Sequence, residues 1–211
     1  MNDYLSSQES ELFRKLQEFF VDINSYRSPY AEAIGDTSEI IFPLIRKSSI
    51  KAASISAGFG ILPGRISILG VLPEVFLLLR LQARMVKDIA IILGKEKFLT
   101  NDVLLYCLFK ENHPDFFNTF IRTTSTKILI KPITIEIIIN LFSKLIRIKA
   151  EKQTSKKSKF AIPIFSSVIG GSLSFIDTQM VGLTANNLFL NEVQFESPYN
   201  PEIISEKEID K

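Results

Sequence analysis

The sequence predicts an all-α fold, a single-domain bundle of about six to seven helices around a central apolar helical hairpin. Three observations predict it. Apolar residues recur at three- and four-residue steps along most of the chain. Prolines and small polar residues stand where these stretches begin, and a glycine stands where one ends. Hydrophobic residues make up 46% of the 211 positions against 23% charged, enough apolar surface for one core without covalent staples. The helical domain is expected over 1–195, with an acidic tail over 196–211.

The first helix is expected over Gln8–Tyr26, where Leu12, Phe13, Leu16, Phe19, Phe20 and Ile23 keep helical spacing. Ser28-Pro29 breaks it. Ser38 is placed to cap a second helix running towards Phe59, with Pro43 near its first turn. Pro73 is expected to open a third helix through Leu93, with Glu74 in its first turn and Gly94 as its C-terminal cap. Thr100 or Asn101 caps a fourth, and Asn112-His113-Pro114 restarts the chain. Pro132 opens a helix to about Lys149. Its Ile-rich run also suits a buried strand, but Glu136, Asn140, Ser143, Arg147 and Glu151 recur every three or four positions, as on a helix. Pro163 opens the last long helix, to about Leu190.

Composition excludes several functions. A single cysteine, Cys107, forbids a disulfide framework and a Cys-based zinc site. A single histidine, His113, forbids a His-His metal motif and reads as a solvated turn residue. No phosphate loop follows a strand. No cofactor or metal is expected. A formal charge of +2 argues against nucleic acid as the main partner. The opening MNDYLSSQES is polar and acidic, unlike a secretory signal, so a cytoplasmic location is expected, with peripheral membrane attachment.

Two apolar stretches bear on the membrane. Residues 52–79 carry only Arg65 and Glu74 as charges, yet Pro63-Gly64 and Pro73 divide them into two limbs, each too short to span. Residues 160–176 are 17 uncharged positions, at the lower edge of a spanning length, and are rich in small residues. Both read as buried core or re-entrant contact.

The last helix carries a stripe of small residues: Ser167, Gly171, Ser174, Thr178, Gly182 and Ala185. Each glycine inside a helix costs about 1 kcal/mol relative to alanine, so close approach of another backbone is the expected reason. Ala53, Ala57, Gly60 and Gly64 offer the mating surface. The stripe suits first a tight crossing inside a soluble core, and second a hairpin that inserts or closes around a lipid-like ligand.

Glu74 and Asp177 are carboxylates set in apolar sequence. The helix dipole accounts for Glu74 if Pro73 opens the helix. Asp177 is expected to pair with Arg80 or Arg84, which share a face with Asp88. Between Lys144 and Lys159 stand seven basic residues and one acidic. Lys149, Lys152, Lys156, Lys157 and Lys159 therefore read either as a solvated loop or as a surface for anionic headgroups.

Two blocks together resemble the EcsC family. LPEVFLLLRLQARMVKDIAIILGKE is similar to its central block, with AGFGILPG upstream; FAIPIFSSVIGGSLSFIDTQMVGLTANNLF is similar to its closing block. Ser166 or Ser167 replaces that block's first glycine, Glu74 stands where aspartate is common, and Ile91-Ile92-Leu93 replaces an aromatic. The resemblance covers about 45–190. It implies a helical domain of unassigned biochemistry, associated in bacteria with an ABC-transporter locus and protein secretion, and carries over no catalytic residue. Matching positions are Pro63, Gly64, Pro73, Glu74, Arg80, Gln82, Asp88, Gly94, Pro163, Gly171, Asp177 and Gly182.

The expected function is a non-enzymatic, membrane-associated accessory protein whose partners are an anionic lipid surface and a membrane protein. The alternative is a soluble carrier or sensor of a hydrophobic ligand held between the third and last helices. An enzyme using Glu74, Arg84 and Asp177 ranks last, because no activated nucleophile or metal set can be assembled.

Overall fold

The computed structural model describes residues 2–61, 68–112, 114, 117, 121–124, 127–130, 133–154 and 163–195. Helices carry the fold, as expected. In chain order they are α1 (Asn2–Ser25), α2 (Ser38–Ile61), α3 (Ile68–Ile92), a 3-10 turn (Glu96–Phe98), α4 (Asn101–Phe109), α5 (Ile135–Thr154) and α6 (Pro163–Leu190). To these the structure adds a small sheet that helical periodicity does not announce. Strands β1 (Ile121–Thr124) and β2 (Lys127–Ile130) pair antiparallel, and β3 (Glu192–Phe195) joins β2 in parallel, with Val193 opposite Ile128. Four residues are too few for a strand to declare its alternation in sequence.

Local chemistry explains most helix ends. The α3 terminus is a Schellman motif: Gly94 takes φ 66°, its N–H donates to Ile91 O at 2.9 Å, and Lys95 N–H donates to Ala90 O at 2.7 Å. Thr100 caps α4, accepting from Val103 N–H. At α2 the cap lies earlier than expected. Thr37 O accepts from Ile41 N–H, and Asp36 Oδ1 accepts from Ser38 N–H, so Ser38 is the first helical residue.

Pro73 does not open α3. The helix begins at Ile68, and Pro73 is inside it, facing out. One intrahelical hydrogen bond is lost there, but burial of Val71 and Leu72 just before it holds the turn. Glu74 therefore sits outside the first turn, and the dipole explanation for it fails.

The main core is built from large side chains. Phe142 of α5 stands at its centre, with ring centroids 5.0 Å from Phe109, 5.8 Å from Phe19 and 5.8 Å from Phe76. Helices α1 and α3 run parallel beside it. Glu18, Asp22 and Tyr26 each meet the residue 62 positions on: Arg80 at 3.7 Å, Arg84 at 2.8 Å and Asp88 at 3.1 Å. Lys87 Nζ donates to Tyr26 O at 2.8 Å, neutralising carbonyls at the end of α1.

Candidate functional site

Helices α2 and α6 pack backbone to backbone, antiparallel. A Cβ placed on Gly171 would lie 3.1 Å from Ala53 O and 3.7 Å from Ala57 Cβ; one on Gly182 would lie 2.7 Å from Ile45 Cγ1. Ser174 and Thr178 are buried on the same helix. Gly60 lies in α2 and Ser167 in α6, and Gly64 lies outside the described residues.

A polar seam runs along the inner side of this contact, where α3 meets it. Glu74 is only 5% exposed. Ser56 Oγ donates to Glu74 Oε1 at 2.8 Å and lies 2.5 Å from Ser174 Oγ, linking all three helices. One turn further along α6, Gln82 Nε2 donates to Asp177 Oδ2 at 2.8 Å and to Thr178 Oγ1 at 3.1 Å, and Asn112 Nδ2 donates to Asp177 Oδ1 at 3.0 Å. Asp177 thus pairs with neither Arg80 nor Arg84. Two residues are about 200° of helical turn, so Gln82 faces α6 while the arginines face α1.

Asp88 belongs to the α1 side. It is buried and accepts from Tyr26 Oη. Burial raises its carboxyl above the ordinary value, while hydrogen bonds from Ser28 and Tyr26 oppose the rise. Burial, then the Asp88 charge, pushes Tyr26 up to about 12. Arg84 lies 5.2 Å from the Tyr26 ring centroid. The Cys107 thiol is fully buried and its pKa is raised by desolvation, the environment of an inert sulfhydryl.

The outer side of the α2–α6 contact is different in kind. Ala53, Ala57, Gly171, Phe175 and Ile176 line a shallow open groove of about 490 Å³. Because the residues opposite Gly171 are small, the two helices come close without filling their outer crease. Along α2 this face continues through Ile50, Arg46 and Phe42 at helical spacing; along α6 it continues to Met180. Phe42 and Ile50 are each 51% exposed, and Ile176 is 56% exposed. Exposed Arg46, Lys47 and Lys51 rim the α2 side, with no ion-pair partner among the described residues.

Sequence reasoning passed over these cations because they are spread through RKSSIK, with no long basic run. The available signal was that α2 carries three basic residues after Glu39 and no further acid. Of the lysines nominated for a membrane surface, Lys149 and Lys152 lie in α5, in a part whose side chains are outside the described residues; Lys156, Lys157, Lys159 and His113 also lie outside them. The expected ligand space between α3 and α6 is occupied by the hydrogen-bonded Gln82, Asp177 and Thr178.

Fold and site together define a helical bundle with one face that is both apolar and cationic. Among the described residues, no helix is long and apolar enough to cross a membrane, and no group of acidic, histidine or cysteine side chains could hold a metal ion. Comparison with known families, curated proteins and solved structures finds no match.

Proposed function

We propose that this chain is a non-enzymatic accessory protein that attaches peripherally to an anionic membrane through the outer face of α2 and α6. One observation carries the reading: three cations without an ion-pair partner among the described residues border a line of exposed apolar side chains, on helices not long and apolar enough to cross a membrane. Each cation near an anionic bilayer contributes about 1 kcal/mol, and shallow burial of Ile50, Ile176 and Met180 adds to it. Such attachment is reversible and sensitive to salt.

The polar seam supports a structural role over catalysis. Its serine hydroxyls and Glu74 are buried and engaged with one another, away from the groove. The EcsC resemblance adds a cytoplasmic membrane face and a transporter or secretion component as the membrane-protein partner. A second reading, a carrier of a lipid-like ligand, draws on the 490 Å³ groove, a volume in the range of small-molecule sites though open on one side. Lipid found by mass spectrometry in purified protein supports that reading.

Flotation of the full chain with vesicles tests the membrane proposal. The expected result is binding to vesicles containing anionic lipid at low salt, none to zwitterionic vesicles, and loss of binding in the triple variant R46E/K47E/K51E. Absence of binding at low salt, or undiminished binding by the triple variant, overturns it.

A further inference from the structure

We infer that the acidic segment 196–211 docks intramolecularly on the cationic, apolar face of α2 and α6 and competes there with the membrane. The inference rests on the membrane reading and adds its regulation.

Charge complementarity is the first argument. The segment ESPYNPEIISEKEIDK holds five acidic and two basic residues, with Glu202, Glu206, Glu208 and Asp210 interleaved with Ile203, Ile204 and Ile209. The face offers the converse: Arg46, Lys47 and Lys51 without ion-pair partners among the described residues, beside exposed Phe42, Ile50 and Ile176. A segment alternating carboxylates with isoleucines can meet both kinds of surface at once.

Position and reach are the second. Gly171 packs on Ala53 and Gly182 on Ile45, so α6 runs down α2 and Leu190 ends level with the first residues of α2. β3 follows directly, with Phe195 opposite Ile130. Lys51 lies about 20 Å up the α2 axis from Ser38, at 1.5 Å per residue. Sixteen residues reach up to about 50 Å when extended, enough to run from Phe195 across Arg46, Lys47 and Lys51. The basic end of α5 is less favoured. That helix starts near the same end of the bundle, where Ile133 N–H donates to Asp102 Oδ1 at 2.8 Å, and carries Lys149 and Lys152 away from it.

Zero-length carbodiimide cross-linking of the full chain, read by peptide mass spectrometry, tests the docking without any lipid. Intramolecular links from Lys47 or Lys51 to Glu202, Glu206, Glu208 or Asp210 are expected. Tail links found only to Lys149, Lys152 or other lysines, or no tail links at all, overturn the docking. Vesicle flotation then tests the competition. The full-length variant E202Q/E206Q/E208Q/D210N is expected to bind anionic vesicles about tenfold more tightly than the unaltered chain at the same salt. Equal affinities overturn the competition while leaving the membrane reading intact. If neither protein floats at low salt, the membrane reading and the competition fall together, and the cross-links alone decide whether the tail docks.

Discussion

The two halves of this bundle are held together by opposite means. Around Phe142, packing relies on volume: four phenylalanine rings and a shell of leucines and isoleucines fill the space between α1, α3, α4 and α5. Between α2 and α6 it relies on the lack of volume, with glycine and alanine bringing backbones together and a hydrogen-bonded seam closing the inner side. The first arrangement hides its large central side chains, Phe19, Phe76, Phe109 and Phe142, from solvent. The second leaves an apolar crease open on its outer side, because small side chains allow close approach but cannot cover what lies beyond it. That difference places the candidate surface on α2 and α6.

The largest expected effect comes from the volume-filled half. Phe142→Ala removes a ring at the centre of the cluster and is expected to cost about 3–5 kcal/mol in denaturant unfolding. A loss below about 1 kcal/mol would mean that the aromatic core is not the main source of stability.

The glycines sharpen the contrast. Gly182→Ala drives a methyl against Ile45, a stiff β-branched side chain with little room to move, and is expected to destabilise by about 1–3 kcal/mol. Gly170→Ala meets nothing closer than Ser56 O at 3.8 Å, and is expected to stabilise by up to about 1 kcal/mol through helix propensity. Equal effects of the two substitutions in urea unfolding would remove the case for backbone contact.

The smallest effect concerns the α1 side. The buried Asp88 carboxyl is raised, so its contribution to stability is full below the ordinary carboxyl pKa, about 4, and is lost as pH rises through the raised value. Glu18, lowered first by its hydrogen bond from Lys15, acts in the opposite sense, losing its contribution as pH falls. Asp88→Asn is therefore expected to become more stable relative to the unaltered chain as pH rises from about 4 towards neutrality. A difference independent of pH would contradict this.

Much of the architecture was legible in the sequence, for reasons that vary by residue. Gly94 announced its cap because a helix terminus in the left-handed region strongly favours glycine. The small-residue spacing of α6 pointed to a close partner, and the structure places it on Ala53, Ala57 and Ile45. Pro73 misled because an exposed proline can sit inside a helix whose neighbours are buried strongly enough. Asp177 misled because charge sign suggested arginine, whereas helical phase put Gln82 opposite it. The outer cationic face was hidden for a third reason: its cations are scattered along α2, and the apolar residues that complete it, Ile176 and Met180, stand on a helix over a hundred residues away.

Site-specific labelling tests the central claim about that face most directly. Cys107 is buried and its thiol resists deprotonation, so a new surface cysteine can be labelled selectively with an environment-sensitive fluorophore. Ile176→Cys lies on the α2–α6 face, and Val21→Cys is an exposed position on α1. With anionic vesicles at low salt, the label at 176 is expected to shift to bluer emission while the label at 21 stays unchanged; a shift at 21 alone, or equal responses at both, would contradict the account.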